Sequence, residues 1–149
     1  MTDRSTRVVA VRMHILLLAM VLFWGSAAAL PAPSILVLGD SLSAGYGLPL
    51  GAGWVDLLQT RLTEGGFPHR VVNASISGDT SRGGLTRLPD ALDLHEPRLL
   101  ILELGGNDGL QGLSLDDLRA NLRRMIDIAR NAGVEQVVLV GMKIPPNYG

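Results

Sequence analysis

A serine that follows a short apolar run is the first candidate for chemistry in this sequence. The segment Gly39-Asp40-Ser41-Leu42-Ser43 comes directly after Ile35-Leu36-Val37-Leu38, which has the wholly apolar pattern of a strand buried on both faces of a parallel sheet. Ser41 therefore lies on the predicted strand-to-helix turn, at the edge where open α/β sheets bind ligands. A hydroxyl there is placed to act as a nucleophile, although Gly-Asp-Ser alone is also typical of an ordinary turn.

Two further loops carry groups that would assist such a nucleophile. A second predicted strand, residues 70–74, precedes Gly78, and a third, residues 99–104, precedes Asn107. If the strands are parallel, Ser41, Gly78 and Asn107 meet at one edge of the sheet. Acyl transfer from a serine needs such a set, because fixed N–H donors must receive the charge that develops on the carbonyl oxygen. Glycine lets a backbone N–H approach closely, and the asparagine amide is a neutral donor.

With these segments the chain resembles the SGNH (GDSL-type) hydrolases. Gly39 to Ser43 matches the nucleophile block of that family, Asn73 to Gly84 matches its glycine block, and Gly105 to Asp108 matches its Gly-x-Asn-Asp block. The resemblance runs from about residue 35 to residue 149 and is strongest to the periplasmic group of multifunctional acyl-CoA thioesterases, lysophospholipases and arylesterases.

The resemblance implies roles for individual residues. Ser41 would be the nucleophile, and the backbone N–H groups of Ser41 and Gly78 with the Asn107 side chain would form the oxyanion hole. Small acyl esters or thioesters, lysophospholipids among them, would be the substrates; the chemistry needs neither a metal ion nor an organic cofactor. The family carries its catalytic Asp and His in an Asp-x-x-His block near the C-terminus, and the sequence stops at Gly149 without one. We therefore expect this chain to be an inactive fragment of an exported serine hydrolase.

None of the histidines present can replace the missing base. His14 lies in a predicted leader, while His69 and His95 precede the second and third predicted strands. Both are therefore at the amino ends of their strands, on the opposite edge from Ser41. A strand of five residues spans about 17 Å, which is far outside hydrogen-bond reach for a general base.

Residues 1–29 are predicted to be a cleaved Sec signal peptide. Three arginines precede an apolar stretch at residues 15–24, and alanines then offer a small-residue cleavage site near Ala29. The apolar stretch is shorter than the roughly 20 residues of a membrane span, so we expect no stable membrane anchor; a retained anchor is the alternative. The sequence thus predicts a periplasmic or secreted protein, with residues 30–149 as one hydrolase domain that is incomplete at its C-terminus.

The net charge and the cysteine content indicate which binding partners and which stabilising bonds to expect. The formal net charge is −1 and becomes about −3 without residues 1–29, which carry three arginines and one aspartate. Such a near-neutral chain has no electrostatic footprint for nucleic acid. The sequence contains no cysteine, so an exported protein of this kind is held together by its core without disulfides. Its oligomeric state does not follow from the sequence.

The alternation of strands and helices predicts a flavodoxin-like three-layer α/β sandwich with a parallel sheet, truncated at the C-terminus. The remaining predicted elements are three helices and a fourth strand: 54–64, 80–94, 115–132 and 136–141. The second helix is expected to be irregular, because Gly83-Gly84 and Pro89 interrupt it. The last helix has a predicted buried stripe: Leu115, Leu118, Leu122, Met125, Ile126 and Ala129. A strand order of 2-1-3-4-5 would place Ser41 between Gly78 and Asn107.

Two other functions fit parts of the sequence. A non-catalytic acyl- or carbohydrate-binding relative would have the same fold without a base, and the DNA after codon 149 distinguishes the two. An open frame encoding Asp-x-x-His favours the enzyme, whereas a stop codon favours the binding protein. A nucleotide-binding flavodoxin-like module would need phosphate-cradling loops, and Gly45-x-Gly47 has the wrong spacing to Gly51 for one.

Overall fold

The computed structural model describes residues 32–142. The predicted signal peptide and the last seven residues, 143–149, lie outside the described residues. The elements are, in chain order, β1 (Ser34–Gly39), α1 (Ser41–Ala44), α2 (Trp54–Glu64), β2 (Arg70–Asn73), α3 (Ser81–His95), β3 (Leu99–Glu103), α4 (Gly106–Leu110), α5 (Leu115–Asn131) and β4 (Gln136–Leu139).

The strands form one parallel sheet in the order β2-β1-β3-β4. Val37 pairs with Asn73 of β2, and Gly39 pairs with Glu103 of β3. Every residue of β1 is buried, because this strand lies between two neighbours and is covered by helices. The predicted parallel α/β fold, its four strands and their order are therefore confirmed.

Helices cover both faces of the sheet. The connection from β1 to β2 runs in one direction across the sheet, and the connections to β3 and β4 run in the other; right-handed crossovers therefore place α2 on one face and α3 with α5 on the second. Successive side chains of β1 point alternately to the two faces of the sheet, so β1 contributes to the packing on both. The larger core lies between the sheet, α3 and α5: Leu36, Leu38, Leu88, Leu92, Leu100, Leu102, Leu104, Met125, Ala129 and Val134.

The helix α3 differs from its prediction, because it is continuous through Gly83-Gly84 and Pro89. A side chain on Gly84 would overlap with Leu104 and would contact Met125, so close packing of α3 on the core requires glycine there. Pro89 itself is exposed, so its ring does not have to fit into the core. Within residues 32–142, no helix is long and apolar enough to cross a membrane.

Candidate active site

The loops that follow β1, β2 and β3 begin side by side at the carboxyl edge of the sheet. Hydrogen bonds continue the pairing of β1 and β2 into their loops, with Ala74 N donating to Val37 O at 2.8 Å and Ile76 N donating to Gly39 O at 3.0 Å. Since β1 is the middle strand of the three, Ser41 enters the site between the other two loops. The predicted arrangement of the strand ends is thus present.

Ser41 is the first residue of the short helix α1. Asp40 caps this helix, because its Oδ1 accepts a hydrogen bond from Leu42 N at 3.0 Å. Asp40 is buried, whereas Ser41 is half-buried. The strand end and the cap therefore hold Ser41 at a fixed position where solvent and a substrate can reach it.

The Asn107 side chain joins all three loops. Its Nδ2 donates to Asp79 O at 2.8 Å and to Asp40 Oδ2 at 3.1 Å. These acceptors belong to the residue before Ser41 and the residue after Gly78. Asn107 itself is the second residue of α4. A single amide group therefore ties the three predicted site residues into one cluster.

Gly78 lies in a tight turn closed by the hydrogen bond from Asp79 N to Ile76 O at 3.1 Å. Its φ angle is +83°, in the left-handed region that favours glycine. The space where a Cβ would stand is open, so the conformation, not crowding, requires glycine here. Gly78 as a whole is exposed.

Asp108, the residue after Asn107, has a buried carboxylate that links this loop to α3. Asp108 accepts hydrogen bonds from the backbone N and the hydroxyl of Ser81, at 2.8 and 2.6 Å, and Asn121 Nδ2 donates to the same hydroxyl at 2.9 Å. The network joins α4 to the start of α3 and to α5. It therefore holds the loop that carries Asn107 against two helices.

A second buried pair lies beneath Ser41, and the sequence analysis did not find it. Ser43 Oγ donates to Glu103 Oε2 at 2.7 Å, while Glu103 Oε1 has no hydrogen-bond partner among the described residues. Burial raises the pKa of the Glu103 carboxyl; the Ser43 hydrogen bond opposes this shift, and the Asp40 charge adds to it. A Cβ on Gly39 would stand 2.6 Å from Ser43 Oγ. The available signal was an acidic residue ending an apolar strand beside the nucleophile block.

The sequence that forms this site matches a known protein family. The GDSL-like lipase/acylhydrolase family model matches residues 37–149. The chain belongs to this family. The resemblance to GDSL-type hydrolases is therefore confirmed.

Individual members of the family are close in sequence and structure. The chain is 53% identical over 132 residues to the esterase TesA of Pseudomonas aeruginosa, covering 89% of this chain and 64% of that protein. It is 44% identical over 138 residues to "Thioesterase 1/protease 1/lysophospholipase L1" of Escherichia coli, covering 93% and 64%. The crystal structure of AlinE4, an SGNH-hydrolase family esterase, superposes with a TM-score of 0.73 at 42% identity, covering 79% and 63%. The chain thus spans just under two thirds of the length of these relatives.

The two histidines among the described residues of this GDSL-like chain, His69 and His95, lie where the sequence placed them; His14 lies outside the described residues. The backbone carbonyl of His95 accepts a hydrogen bond from Ser34 Oγ at 2.8 Å, at the amino end of β1. His69 directly precedes β2. In the part of the chain that the structure describes, neither histidine reaches the carboxyl edge that carries Ser41. The same residues contain no group of three or more His, Asp or Glu side chains that could hold a metal ion.

Proposed function

We propose that the whole protein hydrolyses carboxylic esters and thioesters through an acyl-enzyme on Ser41. Ser41 Oγ attacks the substrate carbonyl carbon and gives its proton to a base, and the alcohol or thiol leaves with that proton. Water then hydrolyses the Ser41 ester by the same route in reverse. The bridging amide of Asn107 between Asp40 and Asp79 is the observation that carries this proposal.

The oxyanion formed by this attack would be bound by the N–H groups of Ser41 and Gly78 and by Asn107 Nδ2. In the free protein both hydrogens of the Asn107 amide have acceptors, Asp79 O at 2.8 Å and Asp40 Oδ2 at 3.1 Å. The longer contact is the one that a substrate oxygen would replace. The shorter contact would remain and keep the amide oriented during the reaction, which is the preorganisation that such catalysis requires.

The general base of this mechanism would come from outside residues 32–142. Both histidines of the described residues are at the far edge of the sheet, and the chain spans 64% of its curated relatives. The resemblance to the family implies that an Asp-x-x-His block would follow in the full-length protein. Residues 30–149 alone would then hold a nucleophile and oxyanion donors without a base.

The surroundings of Ser41 favour an apolar acyl group. The site loops 41–55, 74–78 and 109–115 contain no charged residue. They expose several large apolar side chains: Leu42, Leu48, Leu50, Ile76, Leu110 and Leu113. Contact with such a rim would remove the apolar surface of an acyl chain from water, whereas a charged group within the acyl chain would find no oppositely charged side chain in these segments. The names esterase, thioesterase and lysophospholipase of the relatives support the same substrate class.

Residues 1–29 would direct this hydrolase to the Sec pathway. Cleavage near Ala29 would release it to the periplasm or the medium. The support is the order of basic, apolar and small residues in the sequence.

A fluorophosphonate probe tests the nucleophile in the full-length protein. Ser41 should be the only labelled serine, and Ser41→Ala should abolish both labelling and the hydrolysis of p-nitrophenyl esters. Ser77→Ala is the matched control, because Ser77 is an exposed serine of a neighbouring loop, and it should keep both. Labelling or turnover that survives Ser41→Ala would show that another residue is the nucleophile.

A non-catalytic acyl- or carbohydrate-binding protein is the second candidate. The observation in its favour is that no base lies near Ser41 within residues 32–142. The reading frame after codon 149 decides between the two, because the enzyme requires an Asp-x-x-His block about 40 residues further on. A stop codon there would favour the binding protein.

A further inference from the structure

Arg87 contacts two of the three site loops at once. It projects from α3, and its Nε donates to Asp79 Oδ2 at 2.7 Å. Its Nη2 donates to the backbone carbonyl of Gly39 at 3.2 Å, and its Nη1 donates to that of Ala74. The side chain is only 22% exposed, and that of Asp79 is 11% exposed. A partly desolvated ion pair with two more charge-assisted hydrogen bonds is far stronger than an ordinary surface contact.

Asp79 makes hydrogen bonds that hold both the Gly78 loop and the Asn107 side chain, which supply two of the predicted oxyanion-hole donors. Its backbone carbonyl accepts the hydrogen bond from Asn107 Nδ2 at 2.8 Å, and its backbone N closes the turn that contains Gly78. Any displacement of Asp79 therefore moves the Gly78 N–H and the Asn107 amide together. Arg87 fixes the Asp79 side chain, so the position of both donors depends on it.

In the middle of this loop the hydrogen bonds are between backbone atoms, from Ile76 N to Gly39 O at 3.0 Å and from Asp79 N to Ile76 O at 3.1 Å. Ile76, Ser77 and Gly78 are exposed, and Gly78 has no side chain and no neighbour within 4 Å of its Cβ position. The contacts from Arg87 reach the loop at its beginning, Ala74, and at its end, Asp79. They also reach Gly39, where β1 turns toward Ser41.

We propose that Arg87 is a positioning residue that keeps the oxyanion hole assembled before substrate arrives, a role that rests on the proposed function. It does not touch the substrate; it acts by clamping Asp79 and, through Asp79, the Gly78 N–H and the Asn107 amide. Lysine cannot take over this role, because an ammonium on a flexible stem lacks the planar fork that reaches acceptors on separate loops.

Kinetics of Arg87 variants in the full-length protein test this role. Arg87→Lys and Arg87→Met should lower kcat by about 10²-fold, the cost of a small misplacement of catalytic groups, with KM changed much less because the apolar rim is intact. Arg82→Lys and Arg82→Met are matched controls, since Arg82 is an exposed arginine of the same helix, and they should keep wild-type kcat. An unchanged kcat in Arg87→Lys would overturn the proposal.

A double-mutant cycle separates positioning from a general structural effect. If Arg87 acts through Asn107 and Gly78, Arg87→Lys should slow the Asn107→Ala protein by a clearly smaller factor than it slows the wild type, because one of the two donors that Arg87 positions is already gone. Losses that multiply would show that Arg87 acts independently of Asn107 and would overturn the proposal. Arg87→Lys keeps charge and bulk, so it carries the test if Arg87→Met fails to fold.

Hydrogen exchange gives a readout that needs no activity. Peptides covering residues 74–79 should exchange faster in Arg87→Lys than in the wild type, while peptides covering β1 and α5 should not change. Equal exchange of 74–79 in the two proteins would overturn the clamp. Absence of Ser41-dependent turnover in the wild type together with faster exchange would instead contradict the proposed function and leave the clamp standing.

Discussion

The side-chain amide of Asn107 donates both of its hydrogens within the protein, one to Asp79 O and one to Asp40 Oδ2. We expect Asn107→Ala to fold and to lose on the order of 10²–10³ in turnover, the usual cost of removing one oxyanion donor. Steady-state hydrolysis of a p-nitrophenyl ester by the full-length protein measures this. A loss below about threefold would mean that Asn107 only closes a turn.

Glu103 gives a second residue-scale prediction, on pH. Its pKa in the folded state is raised above the ordinary value of 4.5 because it is buried. The folded protein therefore binds this proton more tightly than the unfolded chain, and the ionised carboxylate lowers stability at pH values above the raised pKa. As pH falls through that pKa toward the ordinary value, the penalty disappears.

We therefore expect Glu103→Gln to gain in unfolding free energy relative to the wild type as pH rises from about 4.5 to 8. Urea denaturation at several pH values measures the difference, and Glu64→Gln makes the same exchange on an exposed side chain as the control. A difference that stays constant over this range would contradict a raised pKa of Glu103.

The sequence pattern predicted the three site loops, which carry Ser41, Gly78 and Asn107, because each loop follows an apolar strand. The pattern did not reveal the partners that hold these residues. The Ser43–Glu103 pair and the contacts of Arg87 join residues 60 and 48 positions apart in the sequence, and only the register of the folded sheet brings them together.

At the scale of elements, the strands and the long helices were predicted, and the two short helices were missed. The bounds of α2 agree with the prediction, and the four strands differ from theirs by one or two residues. The helices α1 and α4, of four and five residues, are too short to show a helical period. Leu115, predicted to be buried, is 68% exposed, because it is the first residue of α5 and lies beyond the core. Met125 and Ala129 of the same stripe are buried as expected.

The packing of α3 supports a prediction on stability. Gly84→Ala should destabilise the protein by about 1–3 kcal/mol, the usual cost of overpacking a core, because the added methyl would overlap with Leu104. Thermal or urea unfolding measures it, with Gly141→Ala, where no atom lies within 4 Å of the Cβ position, as the control. Wild-type stability of Gly84→Ala would show that α3 has room to shift.

At the scale of the whole molecule, the proposal that the general base lies outside residues 32–142 leads to a prediction for residues 30–149 alone. We expect this segment to be hydrolytically inert, since removing the histidine of another serine hydrolase costs on the order of 10⁶ in turnover. We also expect it to aggregate, because Val138, Leu139 and Val140 of the β4 edge are 44%, 48% and 39% exposed, and such an edge pairs with other chains.

Size-exclusion chromatography and ester hydrolysis of the purified segment check both expectations. Co-expression with the C-terminal third of the full-length protein should restore solubility and activity by covering β4 and supplying the base. A soluble, monomeric 30–149 protein with turnover near that of the full-length enzyme would show that an unidentified residue within it is the base.

Export is the remaining prediction at this scale. Mass spectrometry of the mature protein should find its N-terminus within a few residues of Leu30, as expected from the predicted site near Ala29. An intact Met1 or Met13 on protein from the soluble cytoplasm would contradict the predicted signal peptide.

The strand order also sets when the newly made chain is able to fold. β1 is synthesised first, but it lies between β2 and β3 in the sheet. Its pairing with β3, in which Ile35 is opposite Leu99, can form only after Leu99 has been made. At roughly 5–20 residues per second, the ribosome needs several seconds to make the intervening chain. During that interval the apolar strand β1 lacks one or both of its neighbouring strands. If residues 1–29 direct export as the sequence predicts, this delay keeps the chain unfolded, and therefore able to pass through a translocon, for longer during its synthesis.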